Sequence, residues 1–133
     1  MPHEGGCQCG AVRYGVGGTP QYVALCHCEG CRKSSGAPMV AWAAFAEDAL
    51  EVLQGAAKTF NSSGTTMRSF CGTCGTGLFY RNEEYLPGIV DIQSATLDDP
   101  SVFAPGAHIQ TAERISWMAD CHTLPAFERF PPK

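Results

Sequence analysis

The residues of this chain best suited to chemistry are its cysteines. Seven of the eight stand in three short groups: Cys7-Gln8-Cys9, then Cys26-His27-Cys28 with Cys31, then Cys71 and Cys74 around Gly72-Thr73; Cys121 stands apart. Thiols this close along the chain rarely reach the geometry of a bridge, and spacings of this kind are those of zinc sites. Buried apolar thiols would have no reason to cluster in this way. Two partitions are open from spacing alone. Cys28 and Cys31 with Cys71 and Cys74 would make a zinc ribbon with a long insert, leaving Cys7, Cys9 and Cys26 over. Alternatively Cys7, Cys9, Cys71 and Cys74 close a four-sulfur site, and Cys26, Cys28 and Cys31 form a second site with three sulfurs. The second grouping uses every short pair. A closed site is structural, whereas three protein ligands leave one coordination position for a substrate.

The elements that must carry these sulfurs are mostly strands. A chain of 133 residues, 44% hydrophobic and 17% charged, is long enough for one domain with a real core, and 15 Gly with 9 Pro point to many turns. A single mainly β domain over residues 1–133 is expected. Alternation of Val12 and Tyr14 with Arg13 predicts a strand over residues 8–16, with Cys7 and Cys9 at its start facing one side. A second strand, residues 22–25, delivers Cys26. From Cys28 a short helix is expected, with Glu29 early, Arg32 and Lys33 late, and Gly36 and Pro38 ending it. Cys28 and Cys31 then share one face, where the first helical turn favours thiolate. Further strands are expected at 39–45, 50–53, 58–60, 66–70, 78–80 and 89–92, with a hairpin loop at 61–64, a glycine-rich knuckle at Cys71 to Gly77 and an irregular tail.

Charge and hydropathy exclude some classes. The formal charge is −4, and two thiolate-bound zinc ions would carry it to about −7, with no run of Lys or Arg to meet a phosphate backbone. Nucleic acid is not an expected partner. No basic segment is followed by an apolar run, and no uncharged stretch is long enough to span a bilayer. Without a secretory signal, eight cysteines suggest a reducing, cytoplasmic setting.

Taken together the motifs are specific. The chain resembles the glutathione-dependent formaldehyde-activating enzymes, whose domain also occurs in centromere protein V. The resemblance runs from Cys7-Gln8-Cys9-Gly10 through Cys26-His27-Cys28, Cys31-Arg32-Lys33 and Arg68-Ser69-Phe70-Cys71-Gly72-Thr73-Cys74-Gly75 to Leu97-Asp98-Asp99-Pro100 and His108-Ile109. It implies a fold of coiled antiparallel sheets around zinc, shared with methionine sulfoxide reductase B. It also implies a structural zinc on Cys7, Cys9, Cys71 and Cys74 and a catalytic, labile zinc on Cys26, Cys28 and Cys31. The family reaction joins reduced glutathione to formaldehyde as S-(hydroxymethyl)glutathione, formally a carbon–sulfur lyase running in reverse. A small thiol and a small aldehyde are the implied partners, and an open three-thiolate zinc suits activation of the thiol.

Other residues admit two readings each. Arg32 and Lys33 are candidates for binding a glutathione carboxylate, or they simply end a solvated helix. His27 either orients the triplet or faces away from it, since the adjacent sulfurs are the softer zinc donors. His108, Trp117 and Phe127 could line a pocket, though single aromatics in β-rich domains are usually core. Cys121 is read as a spectator thiol. Competing with the enzyme are a zinc-stabilised module that binds without catalysis and, ranked last, a redox enzyme with Cys121 as nucleophile.

Overall fold

A computed structural model describes residues 2–133. Ten strands and one helix follow one another as β1 (His3–Gly6), β2 (Arg13–Val16), β3 (Tyr22–Cys26), α1 (Glu29–Ser35), β4 (Val40–Ala46), β5 (Leu50–Gln54), β6 (Lys58–Ser63), β7 (Thr66–Phe70), β8 (Gly77–Asn82), β9 (Ile89–Gln93) and β10 (Ala107–Ile109). Short 3₁₀ turns fill much of the remainder. The mainly β class agrees with the expectation from the sequence.

Two sheets share one core. The smaller has the order β1-β2-β5, the larger β10-β3-β4-β9-β8-β7-β6. Val12, Tyr14 and Val16 around β2 pack against Ala43, Phe45, Leu78, Phe79, Val90 and Ile92 of the larger sheet. The uncharged run Val-Ala-Trp-Ala-Ala-Phe-Ala of β4 is explained by its place between β3 and β9, where both faces are covered. Ala43 and Phe45 face the shared core, while Val40 and Trp42 join a second cluster with Cys26 and Cys31. That second face is where the triplet lies.

Three local expectations need correction. Residues 8–16 are not one strand: β1 and β2 form an antiparallel hairpin, and Cys7 and Cys9 lie in the connection between them. A strand containing Gly5 and Gly6 has little β propensity of its own, and pairing supplies it. The loop placed at 61–64 is largely strand, since β6 runs to Ser63 with a bulge between Asn61 and Ser63. The tail is not wholly irregular. Ala107–Ile109 pairs with β3, and in parallel, against the antiparallel rule of the other pairings. Three residues are too few to show a period. Among the described residues no helix is long and apolar enough to cross a membrane.

Candidate metal centres and the groove beside them

The first sulfur group is built from two similar connections. Cys7 and Cys9 come from the β1–β2 turn, Cys71 and Cys74 from the β7–β8 turn, and both turns close on a left-handed glycine, Gly10 at φ 82° and Gly75 at φ 83°. Gly10 N–H donates to Cys7 O at 3.1 Å and Gly75 N–H to Cys71 O at 2.8 Å. Cys7 Sγ is 3.7 Å from Cys9 Sγ, and Cys9 Sγ is 3.8 Å from Cys71 Sγ. The edge of a tetrahedron with zinc–sulfur bonds of about 2.3 Å is about 3.8 Å, so the spacing fits that ion.

Backbone amides favour thiolates here. Val12 N–H donates to Cys7 Sγ at 3.2 Å, and Thr73 and Cys74 N–H donate to Cys71 Sγ at 3.4 and 3.5 Å. The Val12 amide lowers the Cys7 thiol below its ordinary range. Thr76 brings Cys74 down to about 5 through its hydroxyl and its amide. Its hydroxyl also accepts from Gln8 N–H at 3.1 Å, tying one turn to the other. The role of Thr76 was not evident in the sequence.

The triplet is assembled differently. Cys26 ends β3, Cys28 is the N-cap of α1, and Cys31 is the buried residue of that helix. The Cys28 sulfur takes the place of a capping oxygen, accepting from Cys31 N–H at 3.3 Å. Gly36, in the left-handed region, ends the helix with its amide on Arg32 O at 2.7 Å. Within each of the two groups the sulfurs lie within 4.8 Å of one another, and all eight cysteines are free. The structure therefore gathers Cys7, Cys9, Cys71 and Cys74 in one group and Cys26, Cys28 and Cys31 in another, and does not bring together the four sulfurs of the ribbon partition.

Of the triplet thiols, Cys31 is the one held below its ordinary range. The Cys26 thiol donates to it and, with smaller help from Cys28, Trp42 and Arg68, brings it to about 5. Cys26 is pushed up by Cys31 in return, and Cys28 is raised by burial. The sequence alone assigns Arg68 no role. Its Nη1 and Nη2 are each 3.8 Å from Cys31 Sγ, its Nε donates to Ser62 Oγ at 3.1 Å, and its guanidinium lies 5.1 Å from the Tyr80 ring centre.

Strand register places further groups on this face. Phe60 opposes Arg68, Arg68 opposes Tyr80, Tyr80 opposes Asp91, Asp91 opposes Ala44, and Ala44 opposes Tyr22. Opposed residues share a face, so six strands present one row roughly 24 Å long. Asp91 sits in its middle on a central strand, an uncommon place for a carboxylate. Burial, then the charge of Cys31, pushes Asp91 up to about 6. A cavity of about 220 Å³ joins the three sulfurs to Trp42, Arg68, Tyr80 and Asp91. Asp91 was missed because residues 89–92 show only strand character in the sequence.

The remaining candidates lie elsewhere. Arg32 Nε donates to His27 O at 3.3 Å and Lys33 pairs with Glu29 at 3.3 Å; neither lines the triplet cavity. His27 is buried and turns its Nε2 to His108 Nδ1 at 2.8 Å. Trp117 and Phe127 are exposed rather than core, and Cys121 is exposed outside both sulfur groups.

Comparison with known proteins bears on this arrangement. The family model for glutathione-dependent formaldehyde-activating enzyme matches residues 2–113. An uncharacterized lyase of Schizosaccharomyces pombe is 31% identical over 81 residues, 60% of this chain, and the match spans 58% of that relative's length. The crystal structure of a Rhodobacter sphaeroides protein shares the fold with a TM-score of 0.63 at 24% identity, covering 79% of this chain and 98% of that one.

Proposed function

The chain belongs to the glutathione-dependent formaldehyde-activating enzyme family, and from that premise we propose that it is a zinc-dependent carbon–sulfur lyase-type enzyme adding a thiol, glutathione or one like it, to formaldehyde or another small aldehyde. One observation carries this reading. Three sulfurs converge at the wall of a cavity that also holds a guanidinium and a carboxylate. The four-sulfur group would hold a structural zinc and the triplet a second one.

A zinc held by Cys26, Cys28 and Cys31 would supply Lewis acidity that eases loss of the thiol proton and fixes the sulfur in place. Everything else falls to the chain. Arg68, held by Ser62 and stacked near Tyr80, draws negative charge toward the sulfurs and is placed to hold a substrate carboxylate. Asp91 accepts the thiol proton as its S–H bond breaks. The sulfur lone pair then forms the C–S bond at the carbonyl carbon, the carbonyl π pair moves to oxygen, and Asp91 returns the proton there. Atoms and charge balance without an oxidant. Trp42, Tyr80 and Ile109 limit water in the cavity.

The test is zinc stoichiometry with and without reduced glutathione, alongside the rate of thiol–aldehyde adduct formation. Two zinc ions per chain are expected, with the triplet ion's environment changing on addition of glutathione and adduct forming above the uncatalysed rate. Two ions unaffected by glutathione, with no acceleration, would establish the non-catalytic zinc module instead.

A further inference from the structure

The triplet cavity is the middle of a longer groove. On one side it continues past Arg68 into a hollow of about 380 Å³ walled by Phe60, Phe70 and Phe79. On the other it continues past Asp91 into a hollow of about 330 Å³ walled by Tyr22, Ala44, Leu86 and Ile89. Trp42 borders all three spaces. Each arm alone reaches the size of a small-molecule site, about 300–1,000 Å³.

A reaction joining two molecules explains two arms only if both molecules have a body to seat. Formaldehyde has a single carbon and no substituent. With it as substrate, one arm would be used by the thiol and the other would remain an apolar hollow. Tyr22 and Leu86 are among the large hydrophobic side chains left exposed, and exposed apolar surface concentrated around a concavity is a mark of binding.

The arms differ in charge, and this assigns them. Arg68 is the charged residue of the phenylalanine arm and suits a thiol bearing a carboxylate. Asp91 is the charged residue of the other, and it disfavours an anion there. It also stands where a carbonyl oxygen would need a proton. Building on the thiol–aldehyde reaction, we propose that the arm bounded by Tyr22, Ala44 and Ile89 seats the uncharged, apolar substituent of an aldehyde several carbons longer than formaldehyde. Ala44 is decisive for space, because it lies in the row between Tyr22 and Asp91 and any longer side chain would occupy the arm.

The experiment uses the zinc-loaded protein with glutathione held constant and compares hexanal with formaldehyde. The kcat/KM ratio of hexanal to formaldehyde should exceed about tenfold, a modest return for several buried methylenes. Ala44→Leu should lower that ratio at least about tenfold by filling the arm, and Tyr22→Asp, at a half-exposed position that tolerates charge, should lower it likewise. Hexanol, which cannot form the adduct, should shift the amide resonances of Tyr22, Ala44 and Ile89. A ratio near one, or hexanol shifts confined to other residues, would overturn the assignment. Hexanol binding in the arm with no adduct from any aldehyde would support the apolar site while overturning the reaction.

Discussion

Both terminal nitrogens of Arg68 lie 3.8 Å from the sulfur of Cys31, although the two residues are 37 positions apart in the chain. The guanidinium comes from β7 and the thiol from α1, so the contact is made by the tertiary fold and not by chain neighbourhood. After the Cys26 hydrogen bond, Arg68 is among the causes holding the Cys31 thiol at about 5. Arg68→Gln should raise the pH midpoint for alkylation of Cys31 in metal-free protein. It should also lower kcat/KM for adduct formation about tenfold or more, with little change in far-ultraviolet circular dichroism. An unchanged alkylation profile would remove Arg68 from the site.

The two sulfur groups should respond oppositely to substitution. Cys31→Ser leaves the four-sulfur group intact and should keep the fold while losing one zinc and the adduct chemistry. Cys74→Ser breaks a group that joins the β1–β2 and β7–β8 turns, where apparent zinc-binding energies on the order of 10 kcal/mol support small metal domains. It should fail to fold at 37 °C. Circular dichroism with metal analysis of both variants distinguishes the roles, and two equally folded, equally active variants would refute them.

Asp91 should cost stability at neutral pH, where the proposed proton transfer needs its carboxylate. Its folded pKa is raised to about 6, above an unfolded value near 3.9. The folded state therefore holds this proton more tightly, so the stabilising contribution is complete below about pH 4 and is lost as pH rises through about 6. Asp91→Asn should gain on the order of 1–3 kcal/mol at pH 7 and little at pH 4. Adduct formation should fall about a hundredfold, the lower range of general acid–base contributions. Urea denaturation at the two pH values, set beside kinetics, measures both; equal stability at the two would contradict the burial argument.

Asp98 titrates in the other sense. Arg13 holds it with two hydrogen bonds, at 2.8 and 2.5 Å, and lowers its pKa. The stability it adds is present above about pH 4, near the unfolded value, and disappears as pH falls through the lower folded one. Both side chains are partly exposed, so Asp98→Asn should cost less than about 1 kcal/mol at pH 7. Thermal denaturation at pH 7 and pH 3 should show that difference shrinking to nothing.

The cysteine spacing by itself pointed to metal binding. Sulfurs two or three residues apart need only a tight turn to face one ion, a constraint local enough to be written in seven positions. The mainly β character was legible for the same reason, since short runs of strand-forming residues and the Gly and Pro between them act over a few residues. The helix ends at Cys28 and Gly36 were likewise local. What the sequence could not carry was the company the triplet keeps. Arg32 and Lys33 adjoin the triplet in sequence, yet their side chains turn to His27 O and Glu29, because a seven-residue helix sends its outer residues to solvent. Arg68 and Asp91 reach it through cross-strand register, which depends on which strands pair and how far each slides. Only the tertiary structure settles that. The second arm of the groove exists for the same reason, in the small side chain of Ala44 brought by pairing between Tyr22 and Asp91.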